Sequence, residues 1–177
     1  MPRLVFFAAA TAILTVQLAL ADSSDNNVLR SDDEQYQLVV AKQWQAKDFH
    51  LANVQIGAID DGRGLCAEVI VERLEDYTDS LPQYADAKRA TMAMSLDNPR
   101  LSPGERLKIN GQDAVRFEIQ GQLPSSGVGV AYSLTVIKTK THYVQIVAWT
   151  GQSHFAENRV ELEQLAGGFS ETAGAGK

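Results

Sequence analysis

Between Val128 and Thr150 two apolar runs flank the polar tetrapeptide Lys138-Thr139-Lys140-Thr141. In the first run Val128, Val130, Tyr132, Leu134 and Val136 alternate with Gly129, Ala131, Ser133 and Thr135. That period of two is a strand signature, and the long apolar second run makes the pair a hairpin. A turn between Thr139 and Lys140 sets Val136 opposite Tyr143, Leu134 opposite Gln145, Tyr132 opposite Val147 and Val130 opposite Trp149. Large residues then gather on one face and small ones on the other, where a one-residue slip would scatter them. The turn has none of the Asn-Gly or Gly chemistry of a tight primed turn.

The hairpin runs straight into a helical pattern from Ser153 to Phe169. Ser153 suits the cap, Glu157 suits the positive end of the dipole, and Phe155, Leu162, Leu165 and Ala166 make an apolar stripe. Gly167-Gly168 ends the helix, Phe169 is expected to tuck under that end, and residues 170–177 read as a loose tail.

Upstream, Tyr36 to Val40 reads as a short strand, with Trp44 and Phe49 as aromatic plugs of the core edge. Strands within Leu51 to Ile59 and over Leu65 to Leu74 flank the turn cluster Asp60-Asp61-Gly62-Arg63-Gly64, an antiparallel hairpin. Ser80-Leu81-Pro82-Gln83 has the form of a capping box, and apolar residues then recur at helical spacing as far as Leu96. The small residues of this helix predict that it covers the sheet face holding Gly129, Ala131 and Ser133. A loop over Asp97 to Gly104 is expected, then a strand Arg106 to Ile109, an Asn110-Gly111 hairpin turn, a strand Asp113 to Gln120, and a loop Gly121 to Gly127. This order defines an α+β domain over residues 36–169, with a central, mainly antiparallel sheet of six or seven strands and two main helices.

The amino terminus is a separate matter. A basic start, an apolar run from Leu4 to Leu20 and the sequence Ala19-Leu20-Ala21 are the parts of a secretory signal peptide over residues 1–21, cleaved after Ala21. The apolar run, diluted by Thr11, Thr15 and Gln17, is short for a membrane span, and no later stretch is apolar enough to make a transmembrane segment. Residues 22–35, rich in Ser, Asp and Asn, read as a flexible lead-in. The full chain carries a net charge of -6, and loss of Arg3 with the leader makes it more acidic still. Such a chain is a poor partner for nucleic acid or for anionic membrane surfaces. A periplasmic or secreted product follows. Cys66 is the lone cysteine, so an intrachain disulfide is excluded, and its place in an apolar strand reads as a small buried hydrophobe.

Candidate chemistry is sparse. His142 and His154 begin the last strand and the last helix and are candidate neighbours, yet with His50 they fall short of a zinc ligand set. Asp60-Asp61-Gly62 lacks the later ligands of a calcium loop and reads as a turn. Glu68 and Glu72 share one strand face, and Arg116 and Glu118 share another; an ion-pair ladder is the simpler reading, acid-base work by Glu68, Glu72 and Glu118 the sharper one. No nucleophile elbow, phosphate loop or dinucleotide fingerprint occurs, so neither a cofactor nor a metal is expected.

Ile109-Asn110-Gly111, Ala114, Arg116, Glu118, Tyr132, Tyr143, Ile146, Ala148-Trp149-Thr150, Phe155 and Phe169 together form a pattern that resembles the PsbP-like domains. The resemblance spans Tyr36 to Phe169 and rests on fold-determining positions. It implies the α/β/α sandwich shared with the Mog-type Ran-binding proteins, and a non-catalytic exported module that binds a protein of the cell envelope or a small ligand. The ligand-bearing extended amino terminus of the plant photosystem subunit has no counterpart, so a photosynthetic role is not implied. The alternative is an enzyme with an acid-base site on the polar sheet face.

Overall fold

A computed structural model describes residues 25–51 and 53–172. The expected leader and its cleavage site lie outside the described residues. Eleven strands and two α-helices follow one another as β1 (Asn26–Arg30), β2 (Tyr36–Ala41), β3 (Gln45–Ala46), β4 (Val54–Asp60), β5 (Leu65–Arg73), α1 (Leu81–Met94), β6 (Asp97–Leu101), β7 (Glu105–Ile109), β8 (Gln112–Gln122), β9 (Gly129–Lys138), β10 (His142–Gly151), α2 (Phe155–Gln164) and β11 (Phe169–Glu171). The central sheet has the order β3-β4-β5-β10-β9-β8-β6, with β7 also paired to β8, and all its pairings are antiparallel. β5 and β10, far apart in sequence, pair at its centre once α1 has crossed over.

Local chemistry sets the turns and caps. Asn110 and Gly111 both have positive φ (49° and 82°), which closes the β7–β8 hairpin as expected of Asn-Gly. The Ser80 N–H donates to Gln83 Oε1 at 3.0 Å, so the capping-box residue ties down the start of α1. The β9–β10 turn is held differently. Thr139 Oγ1 accepts from the backbone N–H groups of His142 (3.0 Å) and Thr141 (3.3 Å), standing in for the missing left-handed residues. This places the turn one residue later than expected. Val136 therefore faces Gln145, Leu134 faces Val147, Tyr132 faces Trp149 and Val130 faces Gly151, a register displaced by two. Because the displacement is even, each side chain stays on its expected face.

The two faces are buried by two different layers. Leu81, Tyr84 and Ala85 of α1 pack with Val115, Phe117, Ile119, Leu134, Val136, Tyr143 and Val147, the large-residue face. Ala58, Ala67, Ala131 and Ala148 lie on the other face, beneath Trp44, Phe155, Leu162, Leu165 and Phe169. The expectation that α1 covers Gly129, Ala131 and Ser133 is thus inverted. Small sheet residues leave depth for the bulky side chains of α2 and of a second sheet, whereas the Ala-rich helix settles on the bulky face.

That second sheet, β1-β2-β11, is the main departure from the reading of the ends. Part of the expected lead-in is the strand β1, paired residue for residue with β2, and part of the expected tail is β11, paired with the other edge of β2. β2 itself belongs here and not to the central sheet, which nevertheless reaches eight strands. The loop expected after α1 contains β6, a fully exposed edge strand. Ser153 lies in a single tight turn, Gln152–His154, and α2 begins at Phe155.

Candidate functional site

The three carboxylates singled out as acid-base candidates do not converge. Strand alternation places Glu68 and Glu72 on the α1 face of β5, between residues of the opposite core such as Ala67 and Val69. Glu118 alternates with Phe117 and Ile119, which belong to the α1 core, and so faces α2. There it pairs with Arg159 of α2, while Arg116 Nη1 meets Glu163 Oε2 at 2.9 Å. The sheet separates the two sets. The ion pairs run from strand to helix and not across strands, Glu72 to Lys88 of α1 and Arg116 and Glu118 to Glu163 and Arg159 of α2, and Glu68 joins none of them.

Glu72 is the centre of a polar cluster beneath α1. It accepts hydrogen bonds from the Tyr84 hydroxyl and, at 3.1 Å, from Gln145 Nε2, and Lys88 Nζ lies 2.6 Å away. Tyr84 and Lys88 are four residues apart and so share one helix face. Tyr84 stacks on Tyr143 with centroids 4.0 Å apart and meets Tyr77 edge-on at 4.9 Å. Burial alone would raise the Glu72 carboxyl, but hydrogen bonds from Lys88, Tyr84 and Tyr77 outweigh it and hold the group below the usual carboxylate range. The same burial and the same carboxylate push Tyr77 up to about 12 and Tyr84 higher. Glu72 stays a carboxylate and both phenols stay protonated near neutral pH, so the cluster is a fixed ion pair with its donors in place.

Glu68 has a different environment. It is 8% exposed and forms no hydrogen bond or ion pair with any described residue. Burial pushes its carboxyl up, with no cation to offset it. Its cross-strand neighbours are Gly57 and Val147. The segment entering β4 crosses over Gly57 and seats Phe49 there, 5.4 Å from the Trp149 ring, which in turn lies 6.1 Å from Tyr132. Phe49, Tyr132 and Trp149 are all half-buried. Cys66, opposite Trp149, is half-buried too and not the enclosed hydrophobe expected; burial and the nearby Glu68 raise its thiol, which disfavours the reactive thiolate.

On the far side, an open groove of about 770 Å³ runs between α2 and the three-stranded sheet, past Val39, Gln43, Asn110, Glu161 and Gln164, with the fully buried Trp44 at its base. Trp44 Nε1 donates to Glu161, which also receives both terminal nitrogens of Arg63, at 2.6 and 2.7 Å. Arg63 Nε donates to Asp60 at 2.6 Å, so the Asp60–Gly64 turn is an anchoring point for α2. Arg63, and to a lesser extent Trp44, hold the Glu161 carboxyl below its ordinary range.

The histidines lie apart. His142 opens β10 and His154 ends the turn Gln152–His154 that follows it, so the strand's full length, about 30 Å at the rise of an extended chain, lies between them. His142 meets Glu171 at 3.2 Å and His154 lies 3.9 Å from Glu157. Among the described residues there is no group of three or more metal-ligating His, Cys, Asp or Glu side chains, and no helix is long and apolar enough to cross a membrane.

An eight-stranded antiparallel sheet with one helix on one face, and a second helix with a small sheet on the other, is the PsbP-like α+β fold. The solution structure of cyanobacterial PsbP (CyanoP) from Synechocystis matches with a TM-score of 0.62 at 12% identity, over 88% of this chain and 97% of that one. LpqN of Mycobacterium tuberculosis, described as involved in cell envelope biogenesis, matches with a TM-score of 0.56 at 11% identity, over 82% of this chain and 89% of that one. A crystal structure from Bacteroides thetaiotaomicron matches with a TM-score of 0.57 at 10% identity, over 83% of this chain and 48% of that one. No protein-family model and no curated protein matches the sequence. At these identities the likeness is one of fold.

Proposed function

We propose that this chain is a non-catalytic accessory module exported to the bacterial periplasm, acting by binding an envelope protein or a small ligand. The observation that carries this reading is the separation of the acid-base candidates. Glu72 is locked by Lys88 and Tyr84 on one face of the sheet, and Glu118 is paired with Arg159 on the other. Glu72 and Glu118 cannot reach one substrate as acid and base, and Glu68 shares its face only with a Glu72 already held by Lys88 and Tyr84. The leader-like residues 1–21 and the role of LpqN in cell envelope biogenesis support the location.

Two measurements test the reading. The protein recovered from its own cells should appear in the periplasmic fraction with Asp22 as its first residue; retention of the intact amino terminus in the cytoplasm would overturn export. The purified protein should leave ester, phosphate and glycoside substrates unchanged. Turnover that disappears in Glu68→Gln or Glu118→Gln would replace the accessory reading by the enzymatic one.

A further inference from the structure

The Glu68 side chain is 8% exposed and forms no hydrogen bond or ion pair with any described residue. A carboxylate taken out of water is retained at low cost only when it is paired or hydrogen-bonded, and the neighbouring Glu72 shows what such pairing looks like. Glu68, 8% exposed, has no such partner among the described residues. On the same sheet face are three half-buried aromatic rings contributed by unrelated parts of the chain: Phe49 held over Gly57, which faces Glu68 across the strands, Trp149 on β10 opposite Cys66, and Tyr132 on β9 opposite Trp149. α1 packs against Val115, Phe117 and Leu134 and leaves this end of the face open enough for Trp149, Tyr132 and Cys66 to reach the surface.

The chemistry that could meet the Glu68 carboxylate is narrow. A carboxylate only accepts, so such a group is a donor or a cation. A metal ion would need further oxygen, nitrogen or sulfur ligands, and no cluster of three exists among the described residues. A neutral sugar, even one meeting the Tyr132 hydroxyl and the Trp149 indole N–H, would leave the Glu68 charge without a counter-ion. An organic cation fits: its charge meets Glu68, and its CH groups meet the electron-rich faces of the rings. The net charge of -6 favours approach of such a ligand.

We propose that Glu68, together with Phe49, Tyr132 and Trp149, forms a binding site for a small organic cation of the alkylated ammonium class. The site names the class of small ligand within the accessory reading and rests on it, while a failed titration would leave export and the lack of turnover untouched.

Fluorescence tests the site directly, because the chain has two tryptophans and one of them, Trp44, is fully buried on the other side of the sheet. Choline added to the purified protein should change the emission of Trp149 and saturate. Its uncharged isostere, with a quaternary carbon in place of nitrogen, should bind roughly tenfold more weakly or worse. Glu68→Gln, which keeps the side chain's shape, should weaken choline by a similar factor, and Tyr132→Leu, read by calorimetry, should weaken it as well. A response that never saturates, equal affinity for the isostere, or unchanged affinity in both variants would overturn the assignment. If Glu68→Gln fails to fold, Tyr132→Leu and the isostere decide alone.

Discussion

Trp44 Nε1 donates a 2.8 Å hydrogen bond to Glu161 Oε1, joining residues 117 apart in sequence and fastening α2 to the start of the domain. The same carboxylate holds Arg63 through both of its terminal nitrogens, so one side chain closes a contact among three segments. Glu161→Ala removes both. It leaves the indole N–H buried without an acceptor and should cost about 1–3 kcal/mol in urea unfolding. Trp44→Phe should cost more through lost packing, about 1–3 kcal/mol beyond the hydrogen bond.

The Glu161 network also has a pH signature. Its folded carboxyl titrates below the ordinary value of 4.5, so the stabilisation is complete above that value and is lost as pH falls through the lower folded value. Unfolding curves measured from neutral to acid pH should show this loss in the wild type, with a shallower acid slope in Glu161→Gln.

Glu68 carries the opposite sign. Its folded carboxyl titrates above 4.5, so ionisation in the folded state is the unfavourable event. Glu68→Gln should therefore unfold at higher denaturant than the wild type at neutral pH. The difference should close as pH falls through the raised folded value and be gone below 4.5. A variant less stable than the wild type throughout would show that Glu68 has a folded-state partner after all.

Tyr84 tests the other carboxylate. Tyr84→Phe keeps the ring on Tyr143 but removes the hydroxyl that bonds Glu72 and accepts from Gln145 Nε2 at 2.9 Å. The expected loss is about 1–3 kcal/mol, measured by denaturant unfolding, with the fold retained. A change near zero would mean that water replaces the hydroxyl.

These side chains mark where sequence reasoning succeeds and stops. The alternation from Val130 to Val136 decides which residues share a face, because period two is a local property, and the faces stand even though the turn lies one residue later than expected. What alternation lacks is the identity of the layer that covers each face, and so the small residues of α1 point to the wrong one. β1 and β6 carry too few apolar residues to announce themselves; Asp97–Leu101 is exposed throughout and includes Pro99, which only an edge strand tolerates. For the candidate site, the shared face of Glu68 and Glu72 was legible from their spacing. Lys88 and Tyr84 could have been paired with each other by helical spacing, but their meeting with Glu72 is a long-range contact that no local pattern encodes. The same holds for Phe49 over Gly57.

Gly57 is the position on which that last contact depends. A Cβ built there would lie 2.0 Å from the Lys47 carbonyl oxygen and 2.9 Å from the Phe49 ring, so any other residue must push the crossing segment off the strand. The Lys47 N–H bonds to the Gly57 carbonyl at 2.9 Å, which means that the displaced atoms are backbone and cannot simply rotate away. Gly57→Ala should therefore cost about 1–3 kcal/mol in stability, as overpacking does elsewhere. It should also separate Phe49 from Trp149 and shift the Trp149 emission toward that of a solvated indole. Because Glu68 lies directly across from Gly57, the variant should weaken choline binding along with that shift. Were the emission to move while choline affinity stayed the same, Phe49 would be a structural plug and not a wall of the cation site.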